Sequence, residues 1–226
     1  MLISVHLPKT AGSSFANSLS DCFGQKLLKD YADLPLHHSN IRRNKHAAIE
    51  SSRNYFKNFD EIQCIHGHFL PLKYRFHKSK INFKYVTWMR EPAERLASQY
   101  YYMKRHYSDE KAKNQPLLKK LSDENWSLER FCLGPELQNT YSKFLWGFPL
   151  DLFDFIGIVE HYNSDLSYFA NHILKEPLST YKENVNKHID QNKYNLSESL
   201  KSEILRHHSK DYSLYHRALT LRDKNR

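Results

Sequence analysis

Apolar residues gather in short bursts along this 226-residue chain, and the spacing differs from burst to burst. Leu2-Ile3-Ser4-Val5-His6-Leu7 is an apolar-rich run that stops at Pro8 and predicts a first strand. Phe15, Ala16, Leu19 and Phe23 then recur at helical spacing. Ile62 to His66 predicts a second strand, ending at His66-Gly67-His68. Phe83 to Met89, rich in aromatic and β-branched residues, predicts a third. It runs into Arg90-Glu91-Pro92, and Pro92 suits the first position of a helix. That helix carries Leu96, Tyr100 and Met103 on one stripe and extends to about Arg105. Phe153 to Val159 predicts a fourth strand, with a helix over Leu166 to Leu174 after it. Ser197 to Leu221 reads as a final amphipathic helix, broken near Lys210-Asp211.

The stretches between these elements are less regular. Residues 24–60 are polar and mixed, and Asp33-Leu34-Pro35 and Arg42-Arg43-Asn44-Lys45 point to loops around short helices. Residues 106–125 are charged with little apolar periodicity, as in a surface excursion or lid. Trp126 to Trp146 is helical in parts, interrupted by Gly134-Pro135, and Asn184-Val185-Asn186 falls in a polar loop. With no internal repeat and no dividing linker, one α/β domain over 1–226 is expected.

Composition narrows the class. Hydrophobic residues make up 40% and aromatics 14%, which marks a folding sequence rather than a disordered one. No run approaches the roughly 20 apolar residues of a membrane span, and no basic-then-apolar leader precedes the first strand. Taken as a whole protein, the chain is expected in the cytoplasm. Cys22, Cys64 and Cys132 are scattered and odd in number, so reduced, core-facing thiols are expected. The pairs His37/His38 and His207/His208 lack cysteine or acidic partners at metal spacing, and no metal is expected. The net charge of +9 implies a partner that is anionic somewhere. That charge is spread along the chain without a basic tail or a nucleic-acid-binding motif. An anionic cofactor, with an acidic polymer as substrate, accounts for it as well as nucleic acid does.

Three clusters carry candidate chemistry. The first is Lys9-Thr10-Ala11-Gly12-Ser13-Ser14 between the first strand and its helix. Strand, small-residue loop and helix point backbone N–H groups and a helix N-terminus at an anion. Lys9 adds a mobile positive charge, and Thr10, Ser13 and Ser14 add hydroxyl donors. The loop is not a Walker A motif, because Lys9 precedes Gly12 and no second glycine lies upstream. The serines also suit plain helix caps. The second cluster is Arg90, at the end of a strand, with Ser98 two turns into the following helix and Arg95 nearby. An arginine fork and a hydroxyl can hold a phosphate. Arg90 could equally pair with Glu94, and Ser98 could be a small residue where helices approach. The third is His66-Gly67-His68, whose i and i+2 side chains share a face in extended backbone. A histidine at a strand's end suits a general base, since its pKa lies near working pH; a hydrogen-bonded core histidine is the plainer alternative.

Together these residues carry a family resemblance. Pro8-Lys9-Thr10-Ala11-Gly12-Ser13-Ser14 resembles the 5′-phosphosulfate loop of sulfotransferases that use 3′-phosphoadenosine 5′-phosphosulfate (PAPS). Val86 to Tyr101 resembles their 3′-phosphate motif: strand, arginine, proline, and a serine eight positions after the arginine. His66-Gly67-His68-Phe69, Phe153 to Glu160 and Asp211-Tyr212-Ser213-Leu214-Tyr215 resemble the carbohydrate branch, the heparan sulfate 2-O-sulfotransferase-like enzymes. The resemblance implies a three-layer α/β fold, with a mostly parallel central sheet and helices on both faces. It implies in-line transfer of a sulfuryl group from PAPS to a hydroxyl of a saccharide or other acceptor, with no metal required; from the chain's own composition, no nucleic-acid partner and no membrane span are expected. Lys9 would hold the bridging oxygen, while Thr10, Ser13 and Ser14, with the amides of Ala11 and Gly12, would bind the 5′-phosphate. Arg90 and Ser98 would bind the 3′-phosphate, His68 would be the base, and His66 would support it. Asn184-Val185-Asn186 resembles a loop that closes over the nucleotide. A small-molecule kinase is the alternative enzyme, and it predicts a Walker loop that this chain lacks.

Overall fold

The computed structural model describes residues 1–76, 82–181, 194–224 and 226. Five strands form one parallel sheet in the order β2-β3-β1-β4-β5: β1 Leu2–Val5, β2 Leu27–Asp30, β3 Cys64–Gly67, β4 Lys84–Met89 and β5 Phe155–Ile158. The register sets Val5 beside Gly67 on one side and beside Thr87 on the other. β1 is therefore central, and all four of its residues are buried. A strand covered on both faces reads as a continuous apolar run rather than an alternation, which is why Leu2-Ile3-Ser4-Val5 announced itself.

The two faces bury different residues of the same strands. Leu2, Cys64, Val86 and Trp88 meet Phe15 and Leu19 of α1 (Gly12–Phe23), and Leu166 of α8 (Tyr162–Tyr168). Ile3, Val5, Ile65 and Met89 meet Tyr141 and Phe144 of α7 (Thr140–Phe144), and Tyr215 and Ala218 of α10 (Ser209–Lys224). The result is a three-layer α/β sandwich. A helical annex joins α3 (Pro92–Arg105), α5 (Pro116–Asp123), α6 (Leu128–Leu133) and α9 (Glu198–His207) around Leu96, Tyr100, Trp126, Phe131 and Ile204. Among the described residues, no helix is long and apolar enough to cross a membrane.

Several sequence expectations need correction. Residues 24–60 hold an edge strand, β2, and the 15-residue helix α2 (Asn40–Asn54), not loops around short helices. The buried stripe of α2 is Arg43, Ala47, Ser51 and Asn54, a face with helical spacing but little apolar character. Within 106–125, α4 (Asp109–Asn114) and α5 form, and Leu118 and Leu121 fasten α5 to the interior. The helix after β5 begins at Tyr162 and ends in a π-helical segment, Phe169–Leu174. The last helical stretch breaks at His208. Cys64 and Cys132 are buried free thiols, whereas Cys22 is only half-buried. Asn184-Val185-Asn186 lies outside the described residues.

Gly67 shows how tightly the β2–β3 seam is drawn. A Cβ there would lie 1.6 Å from the Asp30 carbonyl oxygen of the neighbouring strand. Because backbone cannot swing aside as a side chain can, Gly67→Ala is expected to cost about 2 kcal/mol or more of unfolding free energy. Urea denaturation measures it, and an unchanged midpoint would contradict this packing.

Candidate functional site

The first crossover, through α1, leaves β1 toward β2, and the chain after β4 leaves toward β5 on the opposite side. Crossovers that depart in opposite directions open a crevice beyond the strand ends, the usual ligand position in such sheets. The loop after β1 and the turn after β4 flank this crevice, and His66-Gly67-His68 ends the strand on the other side of β1.

The β1 loop reaches α1 through two non-glycine residues in left-handed backbone, Lys9 at φ 63° and Ala11 at φ 60°. Each costs about 1 kcal/mol or more, a strain that concentrates in loops shaped for a ligand. α1 starts at Ala11 with no side-chain cap. Lys9 is half-buried, its Nζ 3.6 Å above the centre of the Tyr102 ring. Burial, then the charges of Arg105 and Arg90, bring its pKa down to about 8. The hydroxyls divide. Thr10 turns inward instead of facing an anion, its buried Oγ1 donating to the Leu7 carbonyl at 2.8 Å. Ser14 is buried in the first turn, and Ser13 is exposed.

Arg90 follows β4. Its guanidinium stands 3.5 Å from Glu94 and 4.0 Å from Glu160, so the Glu94 pairing open at the sequence level is present, though loose. Its Nε is buried without a hydrogen-bond partner. Burial raises the Glu94 pKa, against the pull of the Tyr194 amide and Arg90. Ser98 is buried on α3, and Tyr102 lies one turn beyond it on the same face. Since Lys9 rests on Tyr102, that face of α3 looks onto the β1 loop. Arg95 is fully buried beside Tyr141 and takes no place in this crevice.

The histidines form a stack that the sequence did not reveal. His6, in the bend after β1, lies face to face with His68 at 4.0 Å and with His66 at 5.2 Å between ring centres. Tyr31 closes the cluster edge-on against His6, His66 and His68. The two rings of the His-Gly-His segment therefore share a face, packed on His6 and Tyr31, but only His68 keeps partial exposure. His66 is 1% exposed and hydrogen-bonded through Nδ1 to the Ser4 hydroxyl at 2.8 Å. Desolvation pushes its pKa down to about 3, so it stays neutral. His68 is half-buried, and its Nδ1 lies 2.5 Å from the His6 carbonyl. A carbonyl only accepts, so Nδ1 carries the proton and Nε2 keeps its lone pair. Burial lowers the His68 pKa, partly opposed by that hydrogen bond, which leaves a neutral ring with an available base nitrogen. Gly12 makes room for this stack, because a Cβ there would lie 1.9 Å from the His6 ring. Among the described residues, no group of three His, Cys, Asp or Glu side chains could hold a metal ion.

The chain matches no family model and no curated protein. The chemistry of the site therefore rests on its own residues. A lysine, an uncapped helix N-terminus and an arginine whose buried Nε lacks a hydrogen-bond partner border one crevice, and a neutral histidine ends the strand beside it. His6 and Tyr31 escaped sequence reasoning because each reads as ordinary strand or loop filling. Only the parallel register of β1 and β3 brings His6 to His68.

Proposed function

We propose that this protein is a PAPS-dependent sulfotransferase that transfers a sulfuryl group to a hydroxyl, in this reading that of a saccharide. The observation that carries the proposal is the placement of Lys9, Arg90 with Ser98, and His68 at the carboxyl ends of three adjacent strands. Cationic groups thus border the crevice, and a neutral base nitrogen stands one strand away.

The residues fit such a nucleotide. The amides at the start of α1 and Lys9 suit the 5′-phosphosulfate, while the Nε of Arg90, 4.0 Å from Glu160 and without a hydrogen bond, offers a donor to the 3′-phosphate. PAPS supplies an activated sulfuryl group on a phosphate leaving group. His68 Nε2 accepts the proton of the attacking hydroxyl as the new oxygen–sulfur bond forms. Lys9 neutralises the charge that gathers on the departing phosphate.

Calorimetric titration with 3′-phosphoadenosine 5′-phosphate, against adenosine 5′-phosphate, tests the reading. A charge-assisted contact to the extra phosphate is worth about 1.5–3 kcal/mol, or roughly 10- to 100-fold in affinity. That preference is expected in the wild type and should vanish in Arg90→Ala. Equal affinity for the two nucleotides in the wild type would overturn the proposal.

A further inference from the structure

The terminal motif Asp211-Tyr212-Ser213-Leu214-Tyr215 has no part in the chemistry above, yet three of its side chains converge on the turn that carries Arg90. Asp211, fully buried on α10, accepts hydrogen bonds from the amides of Tyr141 and Ser142 at 3.1 Å each and so caps α7. Tyr141, fully buried in turn, grips the Arg90 backbone from both sides. Its hydroxyl donates to the Arg90 carbonyl at 2.6 Å and accepts from the Arg90 amide at 3.0 Å. Tyr212 donates to Glu91, and Tyr215 donates to Glu160 at 3.3 Å. Glu160 in turn accepts from the Glu91 amide at 3.1 Å and faces the Arg90 guanidinium.

We infer that Asp211, Tyr212 and Tyr215, acting with Tyr141, form a positioning brace that fixes the Arg90-Glu91 turn for recognition of a nucleotide 3′-phosphate. The inference rests on the sulfotransferase reading above and deepens it. A turn between a strand and Pro92 has few hydrogen bonds of its own, since the proline nitrogen cannot donate. The Arg90 amide and carbonyl are satisfied by Tyr141 of α7 and the Glu91 amide by Glu160, while α10 reaches the turn through the Glu91 and Glu160 carboxylates. Tyr141 provides both contacts to Arg90 through one hydroxyl, so removing a single oxygen loosens the turn without changing the shape of the core. Among the described residues, the side-chain hydrogen bonds of these four run to the start of α7, the Arg90-Glu91 turn and Glu160, so the brace acts on one half of the nucleotide site.

That asymmetry defines the test. Tyr141→Phe is expected to weaken binding of 3′-phosphoadenosine 5′-phosphate about tenfold while adenosine 5′-phosphate binds within about twofold of wild type. In the free protein, deuterium exchange at the Arg90 amide should quicken. Tyr212→Phe, at a half-buried position, should move the same ratio in the same direction and guards against a misfolded Tyr141 variant. A wild type that prefers the 3′-phosphorylated nucleotide, with both variants keeping that preference, overturns the brace alone. A wild type with no preference overturns the sulfotransferase reading itself. Equal weakening toward both nucleotides would mark a general structural role and also overturns the brace.

Discussion

His68→Ala is expected to lower turnover about 10³-fold while nucleotide affinity changes less than about threefold, because a positioned general base contributes 10²–10⁴ to rate and little to binding. The expectation follows from which nitrogen holds the proton. The His6 carbonyl fixes it on Nδ1, leaving Nε2 as the sole acceptor on the ring. Stacking against His6 at 4.0 Å sets the plane of the imidazole. Direct titration with nucleotide and single-turnover kinetics separate the two effects. Turnover within tenfold of wild type would remove His68 as the base. A parallel collapse of affinity would assign it to binding instead.

The second large effect concerns Lys9 and appears most clearly against pH. Burial beside Arg105 and Arg90 holds the ammonium at a pKa of about 8, well below an exposed lysine. Only the charged form can neutralise a leaving phosphate, so kcat/KM should fall as pH rises through about 8. On the acid side, His68 must lose a proton before it can accept one. Its lowered pKa puts the rising limb below pH 6.5, the model value for histidine. The profile should therefore be a bell with a plateau near neutrality. Lys9→Ala should cost about 10²–10³ in kcat, as removal of one oxyanion donor does elsewhere. Lys9→Arg should shift the basic limb upward, since a guanidinium stays charged throughout the range. A basic limb that stays near 8 in Lys9→Arg would assign it to another group.

Both expectations depend on a neutral histidine and a weakly basic lysine in one region, and the fold makes these conditions compatible. The same desolvation lowers both pKa values, and the absence of a cap on α1 leaves its positive end available near Lys9. The surrounding fold holds Lys9 and Ala11 in left-handed backbone that a relaxed chain would not keep.

Much of this was legible in the chain. Strands buried on both faces, such as Leu2–Val5 and Lys84–Met89, advertise themselves as apolar or aromatic runs, and Pro92 marks where α3 begins. The α/β class and the positions of Lys9, Arg90 and His68 at strand ends follow from that local pattern. The β2 edge strand and α2 did not show, for opposite reasons. β2 is only Leu-Leu-Lys-Asp with its middle exposed, too short for its two leucines to show a strand pattern. α2 buries a polar stripe, and its interior contacts are hydrogen bonds and a cation–π contact from Arg43 to Phe144. Hydrophobic periodicity cannot register a face of that kind.

What only the tertiary structure decided is which distant residues share a site and in what chemical state. Sequence put His66 and His68 together on one face; the fold added His6 and Tyr31 to that face and closed His66 into the core against Ser4. The proton on His68 Nδ1, the depressed pKa of Lys9 and the grip of Tyr141 on Arg90 each depend on groups far away in the chain. Residue type and local spacing specify elements because backbone geometry is short-ranged. Protonation and orientation depend on burial and neighbouring charge, which exist only once the sheet has brought its strand ends together.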